Sequence, residues 1–81
     1  MTESDVARLA RVRAMTRRGR ARSIRLRAGL SLSEVAKAAR VATTTVFRWE
    51  SAERSPRGKA ALRYLAVLEE IDRPGKGGSH A

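Results

Sequence analysis

Cysteine is absent from the 81 residues, which removes both a disulfide framework and a thiolate metal site. Aromatic side chains are nearly as scarce: Phe47, Trp49 and Tyr64 are the whole set, so burial has to come from aliphatic residues and alanine. The single histidine, His80, sits in the C-terminal tail, where it supports neither a His-based triad nor an imidazole metal cluster. No apolar run approaches the roughly 20 residues that a membrane span requires. The opening residues also lack the continuous apolar stretch of a secretory signal. No glycine-rich phosphate loop occurs, and the neighbouring carboxylates Glu69, Glu70 and Asp72 close a helix with no catalytic companion. An enzyme, a metal or cofactor site, a small-molecule ligand and membrane insertion are thus not expected. The expected location is the cytoplasm, in the host cell or its nucleoid.

Positive charge, by contrast, is abundant. Lys and Arg number 18 against 8 Asp and Glu, a net charge of +10. Most of the 18 are Arg, whose planar fork of donors suits phosphates and guanine edges. A basic excess of this size implies a polyanionic partner, nucleic acid ahead of membrane. Charge alone leaves DNA, RNA and anionic lipid open.

Strand signals are missing: there is no sustained alternation and no Asn-Gly or Asp-Gly hairpin. Helical spacing recurs instead and predicts an all-α fold, a small helical bundle of about four to five helices. The first helix is expected after Ser4, with Val6, Leu9 and Ala10 on one side, fraying near Gly19. A second runs from about Arg20 to Ala28, with Ala21, Ile24, Arg25 and Ala28 on one face. Ser31 with Glu34 three residues on forms a capping box, so a third helix starts at Leu32 and turns Leu32, Val35, Ala36 and Ala39 inward as far as about Arg40. After a short break, a helix from Thr43 to Ser51 buries Val46 and Trp49. The last, from about Gly58 to Ile71, carries Ala61, Leu62, Leu65, Leu68 and Ile71. The organisation expected is a basic, helical N-terminal extension over 1–19, a domain over 20–71 and a Gly-rich disordered tail over 72–81.

The centre of the chain is two short helices joined by a tight turn, the second rich in small polar residues and Arg. Gly29-Leu-Ser-Leu-Ser-Glu-Val-Ala, then Val41-Ala-Thr-Thr-Thr-Val-Phe-Arg-Trp-Glu, then Arg54-Ser-Pro, resembles the Cro/repressor family of helix-turn-helix proteins over about residues 20–68. The resemblance implies that the helix from Thr43 lies in the major groove of double-stranded DNA. It places Thr43, Thr44, Phe47 and Arg48 at base edges, with Arg48 able to bond O6 and N7 of a guanine together. Phe47 either touches thymine methyls and sugars or packs under a neighbouring element. Thr45, Val46 and Trp49 fall on the packing side. The expected phosphate-facing residues are Arg22, Arg25, Ser33, Arg40, Ser51, Arg54 and Arg57. The expected structural residues are Arg25, Glu50, Trp49, Val46 and Val35, with Arg25 paired to Glu50. Some of the arginines from Arg8 to Arg22 are expected to supply further phosphate contacts, and Leu26 to receive the N-terminal helix or a second subunit.

The sequence departs from the family pattern at four places. Leu32 stands where the family has a phosphate-touching Gln. Arg40 stands at the turn glycine, which calls for a positive φ. Ala52 replaces the glycine after Trp-Glu, and Ala42 replaces the Ser/Thr cap. If Thr43 caps instead, the base-reading register shifts by one.

The leading reading is a sequence-specific transcriptional regulator of Cro/repressor type from a phage or bacterium, with the short length favouring a Cro-type protein. An excisionase-like winged protein needs a β-wing where this chain offers an apolar helix. An antitoxin that binds a protein partner and its own operator is the alternative from another class. A general RNA binder lacks a stacking platform of aromatics. A homodimer stays open.

Overall fold

Two reciprocal capping boxes set the clearest helix starts in the computed structural model, which describes residues 1–73. At the first, the Asp5 N–H donates to Thr2 Oγ1 (3.1 Å) and the Thr2 N–H to Asp5 Oδ2 (3.2 Å), opening α1 (Glu3–Arg17). This start lies earlier than the apolar spacing alone predicts; Thr2-x-x-Asp5 is the signal that carries it. At the second, the Glu34 N–H donates to Ser31 Oγ (3.0 Å) and the Ser31 N–H to Glu34 Oε1 (2.8 Å), opening α3 (Leu32–Ala39). The Ser31 backbone N–H and hydroxyl hold the Glu34 carboxyl below its ordinary pKa. A lowered folded-state value means that the cap's contribution is fully present above about 4.5 and is lost as pH falls through the lowered one.

Between them lies α2 (Arg20–Arg27), and α4 (Thr43–Glu50) and α5 (Gly58–Ile71) follow. The order is an all-α bundle, and the described residues contain no strand. α5 is its axis, packing against α1, α2 and α3, while α3 also packs on α4. Its Ala61, Tyr64, Leu65 and Leu68 are fully buried. Around them close Val12 from α1, Ala21 and Ile24 from α2, Val35, Ala36 and Ala39 from α3, and Val46 and Trp49 from α4. Tyr64 falls outside the face expected for this helix, yet its ring meets Trp49 at a centroid distance of 4.9 Å and a tilt of 39°. Its hydroxyl is buried without a hydrogen-bond partner. Burial, reinforced by the nearby Glu50 charge and opposed by Arg25, pushes that hydroxyl well above the ordinary tyrosine range.

α1 docks, but by a different face from the one expected. Val6 is 56% exposed and Ala10 is exposed as well. The buried stripe is Val12 and Thr16, flanked by the partly buried Leu9 and Met15. Three arginines tie the helix down on its own chain: Arg8 reaches the Leu62 carbonyl (3.5 Å), Arg13 Nε donates to the Pro56 carbonyl (2.8 Å), and Arg11 pairs with Glu69. Exposed ion pairs contribute at most about 1 kcal/mol each, so the buried Val12 stripe decides the docking. Leu26, the expected receiving surface, is 48% exposed, and Ala28 also faces outward instead of joining the α2 core face. The Gly-rich tail, beyond Arg73, lies outside the described residues.

Tyr64→Phe should leave the melting temperature unchanged or raise it, because it deletes a buried hydroxyl that has no partner. Trp49→Ala should lower stability by roughly 3–5 kcal/mol. Thermal unfolding followed by circular dichroism separates the two, and a large loss in Tyr64→Phe would mean that the hydroxyl is bonded after all.

A chain lacking residues 1–17 exposes the α5 and α2 surfaces that Val12 covers. It should unfold several degrees lower than the full chain, a shift that differential scanning calorimetry detects. Equal melting temperatures would show that α1 contributes nothing to the core.

Candidate nucleic-acid interface

α4 presents two faces of different chemistry. Val46 and Trp49 are pinned in the core, and Thr45 is half-buried beside them. The opposite face carries Thr43, Thr44, Phe47 and Arg48, all exposed. Helical spacing sorts these into two stripes, Thr43 with Phe47 and Thr44 with Arg48. The helix begins at Thr43 with Ala42 as its N-cap and without a side-chain cap, so Thr43 does not cap.

The orientation of α4 is set by a buried ion pair. Arg25 Nε and Nη2 donate to the two carboxylate oxygens of Glu50 at 2.7 and 3.0 Å, and Nη1 donates to the Leu30 carbonyl at 2.9 Å. The two side chains are 9% and 5% exposed. The hydrogen bond to Glu50 raises the Arg25 pKa still further, against the opposing effect of burial. Three Arg25 donors are thus engaged inside the fold, and little of the side chain is left exposed toward a phosphate.

Both turns flanking α4 use left-handed backbone at residues other than glycine. Arg40, closing α3, has φ 60°, and Ala52, after α4, has φ 62°. Each costs about 1–2 kcal/mol relative to glycine. The first turn is held from α5: Arg63 Nε donates to the Ala39 carbonyl (2.9 Å) and Nη2 to the Arg40 carbonyl (3.3 Å), capping the end of α3 with a cation. Arg63 carries no motif signal, and only the packing of α5 against α3 brings it to the turn. At the second turn, the Glu53 and Arg54 N–H groups both return to the Arg48 carbonyl, at 2.9 and 3.2 Å.

Two shallow recesses flank the exposed face of α4. One is lined by Arg22, Leu32, Phe47 and Ser51 together with the Arg25–Glu50 pair. The other is lined by Arg48, Arg54, Ser55 and Arg57 with Thr45, Trp49 and Ala60. The structure therefore gathers Arg22, Arg54 and Arg57 around α4, with Ser33 exposed on α3. Arg40 is not among them: it shares a recess with Arg8, Lys59 and Arg63 beside α5. Ser51 is exposed at the end of α4, but its hydroxyl donates to the Phe47 carbonyl at 2.9 Å.

Glu69 and Asp72, at the far end of α5, engage Arg11, Arg20 and Arg27. Among the described residues, Arg22, Arg48, Arg54 and Arg57 have no carboxylate partner. Arg8, Arg11 and Arg13 are each engaged on their own chain, Arg11 by Glu69 and the other two by backbone carbonyls.

Residues 22–73, more than half of the chain, match a family model described as helix-turn-helix, which agrees with the Cro/repressor-type resemblance of the motifs. Neither a curated protein nor a solved structure matches the chain.

Glu50→Ala strands a buried guanidinium and should cost about 3–5 kcal/mol. Replacing both partners with apolar residues, Arg25→Met with Glu50→Leu, should unfold at a higher temperature than Glu50→Ala alone. Strictly additive losses in thermal denaturation would contradict the coupling.

Proposed function

The chain belongs to the helix-turn-helix family of Cro/repressor type, a DNA-binding family, and from that premise we propose that it is a sequence-specific transcriptional regulator that reads double-stranded DNA with α4. The observation that carries this reading is the exposed face Thr43, Thr44, Phe47 and Arg48, flanked by arginines that have no carboxylate partner among the described residues. A helix of this diameter fits the major groove, where each base pair offers a distinct set of donors and acceptors. Arg48 takes guanine, its fork matching O6 and N7. Thr43 and Thr44 offer hydroxyl and methyl groups to neighbouring edges. Arg22, Ser33, Arg54 and Arg57 bind phosphates on the two sides of the groove and fix the register without reading sequence. Ser51 joins them by turning its hydroxyl away from Phe47. Trp49 and the Arg25–Glu50 pair hold α4 rigid against α2 and α5, so that little order has to be created on binding.

An excisionase-like reading requires a β-wing after the recognition helix. The described residues there form a short loop and α5, and no strand. That difference favours the Cro/repressor type.

The test begins with selection of bound sequences from a random DNA pool, which also reports half-site symmetry and hence whether two copies bind together. On the selected site, Arg48→Ala should cost about 1–3 kcal/mol and relax preference at one base position. Arg54→Ala should weaken binding evenly over all sequences and flatten the salt dependence by about one phosphate contact. Arg11→Ala, on the paired face, should leave affinity nearly unchanged. A pool that yields no preferred sequence contradicts the reading.

A further inference from the structure

Of the three aromatic residues, Trp49 and Tyr64 are buried at 5% and 0% exposure, while Phe47 stays 49% exposed. Among the exposed large hydrophobic residues it is the one on α4. The ring has no inward site, because Val46 and Trp49 already fill the core side of the helix. It shares its recess with Leu32 of α3, at the position where the family pattern places a polar residue, and with Arg22 and Ser51. The result is an apolar spot, Phe47 with Leu32, inside a face otherwise made of hydroxyls and guanidinium groups.

A benzyl group forms no hydrogen bond, so a polar base edge gives it nothing and loses hydration by the contact. The major groove presents one apolar feature, the C5-methyl group of a pyrimidine. We propose that Phe47, supported by Leu32, reads a pyrimidine C5-methyl group, so that the protein separates thymine from uracil and 5-methylcytosine from cytosine at one position of its site. The inference rests on the role proposed for α4 as the reading helix. Phe47 and Arg48 are successive residues on the outer face of α4, so the methyl-dependent position lies within one or two base steps of the guanine that Arg48 takes. Burying one methyl-sized group changes affinity about fourfold.

The test uses the DNA site selected by the wild-type chain and fluorescence anisotropy. Each thymine is replaced singly by deoxyuridine, and each cytosine by 5-methyldeoxycytidine. The expected result is one position at which losing the methyl group weakens binding, or gaining one strengthens it, about fourfold. In Phe47→Ala that dependence should vanish, while the variant, altered at a half-exposed side chain, stays folded and binds the unmodified site more weakly than the wild type. A site with no methyl-dependent position overturns the inference and leaves the DNA-reading role intact. So does a Phe47→Ala variant that keeps the dependence. Failure to select any sequence is a different result, which removes the role of α4 and the inference with it.

Discussion

Everything on the outer face of α4 depends on the Arg25–Glu50 pair. Two charges taken out of water are costly unless each is matched, and here the matching is bidentate, with a third guanidinium donor spent on the Leu30 carbonyl. One side chain thereby fixes three things: the end of α4, the helix α2 that carries it and the turn leading into α3. The geometry tolerates little slippage, since a planar fork and a planar carboxylate satisfy each other in one arrangement. Trp49, adjacent to Glu50 and resting on Tyr64, supplies the apolar half of the same clamp. Rotating α4 to present other residues would break an ion pair and uncover a tryptophan together.

The parts of this molecule that were legible in the sequence are those with local causes. The Ser31–Glu34 box, the helical spacing of Val35, Ala36 and Ala39, and the Val46–Trp49 pair all act within a turn or two of chain, and each lies where its pattern places it. The motif around Trp49 carried the outer face of α4 as well, because fixing which residues are buried fixes which are not. What stayed hidden was set by contacts distant in sequence. The inward face of α1 is Val12 and Thr16, not Val6 and Ala10, because α5 and α2 choose the face, and a helix with several small apolar residues offers more than one. Arg13, Arg63 and Arg40 look alike as basic residues, yet one grips the Pro56 carbonyl, one caps α3 and one lines a recess beside α5. Charge shows that a partner is polyanionic; it does not show which arginines remain to meet it.

The left-handed Arg40 and Ala52 show how the fold absorbs an unfavourable sequence. A glycine would take either conformation freely, and the chain has none at these places. The turns persist because they are overdetermined: the Arg63 guanidinium closes one, and the Arg48 carbonyl receives two N–H groups across the other. The second arrangement has a functional side. The strained residue draws Arg54 back toward Arg48, so the side chains proposed to read a base and to bind a phosphate are fixed by the same few atoms.

The ion pairs along α5 also set how far its charges are felt. Glu69, Glu70 and Asp72 gather at one end, and each is met there by a guanidinium group, from Arg11, Arg73, Arg20 or Arg27. Arg54, Arg57 and Lys59 stand beside the other end, some 14 residues or about 21 Å of helix away, without a carboxylate partner among the described residues. Opposite charges in contact cancel at a distance, whereas an unmatched cation keeps its field out to about a Debye length. Seen from solution, the ion pairs leave one end of α5 quiet and the other positive.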